Sequence, residues 1–380
     1  MPVQICQLLA LSQGYDSRYP NATIVYVGNY RDPGDVYAIV DREGSGKVEV
    51  QTFIKNFKRP SGVVWRNNSL WIAEPGQITR FDGVDEYALN GTVFAGPRTV
   101  ISTAFPWNQT IHQDHHLAFG PDGWLYLPQG AESNTGPCAP VSSVLTHCTL
   151  NRMRPDGSDL QAYGTGIRNT VGWDWHPDNG DLWVGMNERQ ELFPDQDDHP
   201  DDTLLYLPRQ SLYFGFPFCH WVGEGSEYDR DVGPPNTTIA DDVNVPPGAR
   251  NVNDTAGFRR YCTNTSVVTP PVQALGPHAA PLGMKFYTGE MFPSKYNRTI
   301  FMTQHGSGNR KVALGYRIVT IAVDPDGEVL SYDTFAQGWL RDPIRRAFWG
   351  RPNDVLQLRD GSLLVSDDYA AAVYRITYEA

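Results

Sequence analysis

Lysine is scarce in this chain. Arginine supplies most of the 31 basic residues, and 43 acidic residues outweigh them to leave a formal net charge of −12. Nucleic-acid binding rests on basic patches that displace counterions from phosphates, so this balance excludes a nucleic-acid partner. The preference for Arg suits paired N–H donation to planar carboxylates, hence a small acidic ligand, although surface usage alone would give the same bias. Long apolar runs are missing too. No stretch approaches the length of a membrane helix, which excludes a spanning helix, and the opening MPVQICQLLALSQG has neither the basic start nor the long apolar stretch of a signal peptide, as though trimmed. Helical patterning is sparse.

Turn formers and aromatics are what the chain has in quantity. With 36 Gly, 29 Pro, 19 Tyr and 10 Trp in 380 residues, 40% of them apolar, the composition describes short aromatic strands joined by many turns around a sizeable core, an all-β protein. Five cysteines allow two pairs and one remainder. Cys138 and Cys148 lie close around PCAPVSSVLTHC, Cys219 and Cys262 bracket a Gly/Pro-rich insertion, and Cys6 is left over. Asn-X-Ser/Thr acceptors at Asn21, Asn67, Asn90, Asn108, Asn236, Asn253, Asn264 and Asn297 favour a secreted, disulfide-bonded protein over one with reduced core thiols.

Five segments share one pattern of a basic residue, an apolar strand, a tight turn and a second strand. They are RPSGVVWRNNSLWIAE from Arg59, HQDHHLAFGPDGWLYLPQ from His112, RNTVGWDWHPDNGDLWVGMNE from Arg168, HAAPLGMKFYTG from His278, and RPNDVLQLRDGSLLVSDD from Arg351. The alternation and the Asp-Gly turns mark β-hairpins. Their heads are 53, 56, 110 and 73 residues apart. The interval of 110 fits two units, and the last one joins the C-terminal residues to the first 58 as a blade shared between the termini. Six units of this size predict a six-bladed β-propeller occupying 1–380 as one domain, with an insertion at about 219–262. A β-sandwich, the alternative, leaves the recurring basic residue unexplained.

In an antiparallel hairpin the start of the first strand and the end of the second lie together. Arg59, His112, Arg168, His278 and Arg351 are therefore expected at one mouth of the central channel. Glu74, Gln129, Asn187, Glu188, His305 and Asp367 end the second strands beside them. His115 and His116 are read as support for the strand entry. A zinc site from the three histidines would need a helix that LAFGPDGWLYL cannot continue. Trp65 and Trp173 alternate within strands and read as core, Trp221 and Trp349 stay open as sugar-stacking candidates, and the insertion reads as a rim over the pocket.

HQDHHLAFGPDG, GTGIRNTVGWDWHPDNGDLWVGMNE, DQDDHPDDTLLYL with FGFPFCHW, and GPHAAPLGMKFYTG followed by TQHGSGNRKVALGYR carry a resemblance. From about residue 55 onward the chain resembles the soluble pyrroloquinoline-quinone (PQQ)-dependent sugar dehydrogenases of the glucose and sorbosone dehydrogenase class, above all the secreted fungal pyranose dehydrogenases. That resemblance implies a six-bladed propeller with the quinone over the channel mouth. It implies His112 as general base, Arg168 near the quinone's reactive carbonyl with Asn169 beside it, and Asn187 on the cofactor. It also implies calcium on the main-chain carbonyls of Glu188 and Arg189. The family usually has Gly where Glu188 stands, which makes the Glu188 carboxylate a candidate ligand in its own right. Asp202 matches an acidic support residue, with Thr203 in place of the acid that often follows. His278, His305, Asn309 and Arg310 fall in cofactor-contacting segments, whereas Arg59 and Arg351 rest on the hairpin register alone.

The expected activity is oxidation of the anomeric hydroxyl of a pyranose or related aldose or ketoaldose, outside the cell. Electrons would pass to a secreted haem protein or another redox protein. Such chemistry needs a base that is neutral at working pH, which His supplies, and positive charge for a tricarboxylic quinone, which Arg and a hard divalent cation supply. Two other classes remain. A calcium-dependent propeller hydrolase of the lactonase or esterase kind would place carboxylates and amides on the axis, and a binding propeller would need no shared chemistry among these motifs.

Overall fold

The computed structural model describes residues 8–15, 17–105, 112, 116–136, 138–190, 197–223, 225–233 and 255–379. Cys6, His115, Asn108, Asn236 and Asn253 lie outside the described residues. Six antiparallel sheets follow one another along the chain and form a six-bladed propeller. Blade 1 is Leu8–Gly14, Thr23–Asn29, Gly34–Asp41 and Glu49–Phe57. Blade 2 is Gly62–Arg66, Ser69–Glu74, Gln77–Asp82 and Arg98–Ser102. Blade 3 is Ala118–Phe119, Leu125–Gln129, Thr149–Met153 and Gln161–Thr165. Blade 4 is Gly172–Trp175, Leu182–Met186, Asp201–Leu207 and Gln273–Pro277. Blade 5 is Pro281–Phe286, Thr299–Gln304, Arg317–Val323 and Val329–Ala336. Blade 6 has, among the described residues, the strands Pro352–Gln357, Leu363–Asp367 and Ala372–Ile376.

The number of blades agrees with the spacing of the hairpins, but their allocation does not. Residues 168–278 hold one blade plus an excursion rather than two blades, and among the described residues no blade is shared between the termini. The 8–57 segment forms a complete blade that carries no head motif, and 352–376 forms another. Two displaced units cancelled in the count.

Each blade is covered on both faces by its neighbours, so second strands are buried along their length, polar ends included. LWVGM at 182–186 and TIFMTQ at 299–304 are buried throughout, whereas the outer VLSYDTFA at 329–336 is largely exposed. Trp183 is fully buried, its ring 4.8 Å from that of Tyr206 in its own blade and 6.2 Å from that of Phe286 in the next. Burying one such side chain contributes roughly 1.5–3 kcal/mol.

Inner strands lack a sheet neighbour on the channel side, and their main-chain groups still need partners. Side chains of the adjacent blade provide them. Ser12 Oγ accepts from Trp65 N (2.7 Å), Asp174 Oδ2 from Phe286 N (2.8 Å), and Thr303 Oγ1 donates to Asn353 O (2.6 Å). The ring closes in the same way, with Asp354 Oδ2 of blade 6 accepting from Leu11 N of blade 1 at 2.8 Å.

After Leu207 the chain leaves blade 4 and returns at Gln273, a longer excursion than its cysteines bracket. Leu212–Tyr213 adds in parallel to the outer strand of blade 3, Cys219–Val222 pairs with Gly225–Tyr228, and a helix covers Thr255–Cys262. Both expected disulfides are present, Cys138–Cys148 and Cys219–Cys262. Asn21, Asn67, Asn90, Asn264 and Asn297 are all exposed. No helix among the described residues is long and apolar enough to cross a membrane.

Candidate active site

The hairpin register brings the strand heads to one end. Gly62 pairs with Ala73, Pro281 with Gln304 and Pro352 with Asp367, so each basic head stands beside the end of its second strand. At this end of the axis lies a cavity of about 270 Å³. Of the expected residues, His112, Arg168, Asn169, Asn187, Glu188, His278, Asn309 and Arg351 line it, together with Gln190, Asp202, Ser307 and Gly308. Arg59, Arg189, His305 and Arg310 are not among its lining residues. Two further cavities, of about 320 and 490 Å³, lie behind Glu188 under the insertion and between blades 6 and 1. Neither gathers the cationic strand heads.

His112 is buried with its Nδ1 2.9 Å from Ala131 O. A carbonyl only accepts, so Nδ1 carries the proton and Nε2 is the basic nitrogen, a tautomer assigned from the hydrogen bond. Burial and then the Arg168 charge push the imidazole down to about 3, against the opposing Ala131 bond. Ala131 N in turn donates to Arg168 O at 2.8 Å, so one residue ties the imidazole to the Arg168 main chain. Gly130 makes that tie feasible, because a Cβ there would meet His112 Cβ at 2.5 Å. His116 is half-buried, edge-on against Trp173 with 5.0 Å between ring centres, and lowered to about 4 by desolvation alone.

The arginines divide by their partners. Arg168 donates to Asn134 O, Asn134 Oδ1 and Asn187 O, at 3.2, 3.0 and 3.4 Å. Arg351 donates to His305 O and Gly306 O, at 3.1 and 2.5 Å. These partners are carbonyl and amide oxygens, which orient a guanidinium without cancelling its charge. Burial lowers Arg168 to about 10, with Glu188 and Asp202 opposing the shift, so it stays cationic at neutral pH. Arg189, by contrast, pairs with Asp229 (2.6 Å) and Asp231 (3.0 Å), and Arg310 with Asp197 O and Asp198. Arg59 lies 5.4 Å from the Tyr30 ring, and His305 Nε2 is 2.8 Å from Asp368 Oδ1.

Behind the cavity sits a buried relay. Glu188 Oε2 meets His220 Nδ1 at 2.9 Å, and His220 Nε2 meets Asp229 Oδ2 at 2.7 Å. Burial alone would lower His220, but Glu188 and Asp229 outweigh it and raise the ring to about 9. Asp229, against its own burial, is held near 2 by His220 and Arg189. The Glu188 carboxylate is thus turned toward the insertion. Asp202 accepts from Glu188 N (2.8 Å) and Ala280 N (2.7 Å), and its burial raises it to about 7 in spite of those bonds. His220, Asp229, Asn134 and Gln190 were not singled out from the sequence as site residues. The one available signal was His220 beside Cys219 in FCHW.

The lining fits a flat polycarboxylate. Two guanidiniums with no carboxylate among their hydrogen-bond partners face one cavity, which suits an anion. The buried Asn169 Oδ1 and Asn309 Oδ1 on its wall are acceptors without a partner, so they call for a donor on whatever enters the cavity rather than for a carboxylate. The carboxylates do not fit a metal as well. No group of three His, Cys, Asp or Glu side chains is arranged to hold an ion among the described residues, and both Asp202 oxygens already accept main-chain N–H groups.

Comparison with known proteins bears on the family and the fold. A family model described as TrAA12-like matches residues 91–338. The iodide structure of the Trichoderma reesei Carbohydrate-Active Enzymes family AA12 protein is similar over 98% of this chain and 93% of that one, with a TM-score of 0.75 and 18% identity. A calcium structure of the same protein gives a TM-score of 0.73. The holo form of the pyranose dehydrogenase PQQ domain from Coprinopsis cinerea covers 98% of this chain and 93% of its own, at TM-score 0.73 and 17% identity. A Borreliella burgdorferi protein described as uncharacterized is 24% identical over 338 residues, 87% of this chain and 79% of that protein. At these identities the structural likeness establishes the fold.

Proposed function

The chain belongs to the TrAA12-like family, and from that premise we propose that it is a secreted, PQQ-dependent sugar dehydrogenase acting on the anomeric hydroxyl of a pyranose or related aldose. One observation carries the reading. A neutral histidine with its basic Nε2 available shares a small cavity with two guanidiniums that hydrogen-bond to carbonyl and amide oxygens and not to carboxylates.

Arg168 and Arg351 would hold the cofactor's carboxylates, with Asn169, Asn187, His278 and Asn309 contributing polar contacts around it. When bound, PQQ supplies the two-electron acceptor that takes hydride from the anomeric carbon. His112 Nε2 accepts the proton of the sugar hydroxyl, and the loss of proton and hydride together leaves a lactone. Ala131 O keeps the opposite nitrogen protonated and stabilises the imidazolium that forms. Arg168, kept cationic, stabilises negative charge where it grows during the transfer. Calcium on the main-chain carbonyls of Glu188 and Arg189 rests on the family resemblance, and no step is derived through it. Two disulfides and five exposed glycosylation acceptors support an extracellular setting. The electron acceptor is proposed as a secreted haem protein or another redox protein.

Reconstitution tests the proposal. Purified protein is mixed with PQQ, with and without calcium, and sugar-dependent bleaching of an artificial electron acceptor is followed. Turnover requires PQQ. Sugar oxidation without the quinone would overturn the PQQ assignment, and lactone hydrolysis with calcium alone would assign the fold to the hydrolase reading instead.

A further inference from the structure

Sugar must meet the cofactor cavity from somewhere on the mouth face, and the connections around that face are unequal. In blades 3, 4 and 5 the second and third strands are joined by 130–148, 187–200 and 305–316. In blades 1, 2 and 6 the same joints are only 30–33, 75–76 and 368–371. These joints are thus longer on one half of the face than on the other, and next to Arg351 the edge is formed by the short 368–371 joint of blade 6 and by the longer 337–351 connection that carries Phe348.

On that edge we infer the sugar-binding subsite: the ring of Tyr369, backed by Phe348, together with the His305–Asp368 pair. This assignment rests on the proposed dehydrogenase function and names the residues that would recognise its substrate. Tyr369 is 60% exposed, unusual for a ring held in an aromatic cluster. Its centroid lies 4.7 Å from Phe348, whose other neighbours are Tyr316 at 4.8 Å and the Arg351 guanidinium at 5.9 Å. An unbroken set of contacts thus leads from the cavity wall to an open ring face. The turn that carries Tyr369 is fixed, because Asp367 Oδ1 accepts from both Ala370 N (2.8 Å) and Arg351 N (2.9 Å). Next to it His305 Nε2 meets Asp368 Oδ1 at 2.8 Å with both side chains partly exposed, at 14% and 18%.

The combination suits a pyranose. The C–H face of a sugar packs on an aromatic ring, and a carboxylate paired with an imidazole offers an acceptor to its hydroxyls. Arg351 links the two halves, since its Nε donates to His305 O while its side chain lines the cofactor cavity. Of the tryptophans, Trp173 is buried and Trp221 lines the cavity behind Glu188 and His220, while Trp349, 40% exposed, stacks on Trp339 at 5.9 Å and donates its indole N–H to Gly338 O.

The test compares Tyr369→Ala, Tyr369→Phe and Asp368→Asn in the PQQ-loaded full chain, and reads three quantities. They are KM and kcat for the aldose, PQQ affinity by titration of the apo protein, and affinity for a 1,5-anhydroalditol, a sugar without the reacting hydroxyl. Binding lost from ground and transition states alike raises KM and leaves kcat in place, so Tyr369→Ala and Asp368→Asn should raise KM ~5–20-fold with kcat within about twofold. Tyr369→Phe should restore the wild-type KM, and PQQ affinity should not change. Unaltered KM in both variants overturns the subsite, as does a parallel loss of PQQ affinity, which would place these residues in the cofactor cradle. Tyr369-dependent binding of the anhydroalditol by a protein that oxidises no sugar would sustain the subsite and overturn the dehydrogenase reading.

Discussion

His112→Ala separates the chemistry of the mouth from its capacity to bind. Nε2 is the group that would take the sugar proton, and a positioned general base contributes ~10²–10⁴ in rate, or about 3–5 kcal/mol of barrier. Turnover of the reconstituted variant should therefore fall by that factor. PQQ affinity should stay within a few-fold, because the imidazole is neutral and the guanidiniums hold the charge. The pH dependence gives a second reading. A ring lowered to about 3 is roughly 99% neutral at pH 5, where an ordinary histidine would be roughly 3% neutral. The acid limb of kcat/KM should accordingly lie well below 6.5. Stability supplies a third reading, free of any cofactor. Because the folded value lies below the unfolded one, unfolding takes up a proton between pH 6.5 and about 3. The effect is absent above that window and lowers stability progressively as pH falls through it, by about 3 kcal/mol at pH 4.5. Urea denaturation of wild type and His112→Ala at pH 7 and 4.5 measures it, the variant losing correspondingly less on acidification. An acid limb at 6.5, or equal acid sensitivity of the two proteins, refutes a buried neutral base. Comparable loss of turnover and PQQ binding refutes the role assigned to it.

Two further perturbations address the scaffold. The Cys219–Cys262 bridge spans 43 residues, and loop-closure entropy for that span is about 4 kcal/mol. Replacing both cysteines with Ser should lower the denaturation midpoint, and because His220 adjoins the bridge, PQQ affinity should fall as well; a midpoint matching the wild type counts against the insertion as a structural rim. Asp354→Ala removes the acceptor of both Leu11 N and Val355 N. Leaving two buried donors unpaired costs about 2–6 kcal/mol, and hydrogen exchange should show faster opening in blades 1 and 6 than in blades 3 and 4. Uniform protection across the ring would show that closure does not depend on this carboxylate.

Why the blades were countable and yet misallocated follows from where the polar heads come from. A head residue was visible only where a strand entered the mouth with a basic side chain, as at Arg59, Arg168 and Arg351. Blade 1 begins with LLALSQG, which presents no such head, and its role in the ring depends on contacts with residues more than 300 positions away, such as Leu11 N to Asp354. Nothing in local periodicity reports that pairing. The 208–272 excursion misled the spacing for a related reason, because its segment Leu212–Tyr213 completes blade 3 rather than adding a blade of its own.

The site was legible to the extent that its residues stand at strand ends, and illegible where the partner of a residue decides its job. Arg168, Arg189, Arg310 and Arg351 are one residue type in one neighbourhood. Two of them meet aspartates brought by the excursion or by the 197–198 segment and become structural cross-links. The other two meet only carbonyl and amide oxygens in their hydrogen bonds and keep their charge for a ligand. A guanidinium beside a carboxylate gains little by binding a second anion, whereas one oriented by neutral oxygens in a buried wall is left with a charge that only an anion can balance. That distinction is made by Asp229 and Asp231, 40 and 42 residues beyond Arg189 in the sequence, so no motif around the arginine itself could carry it.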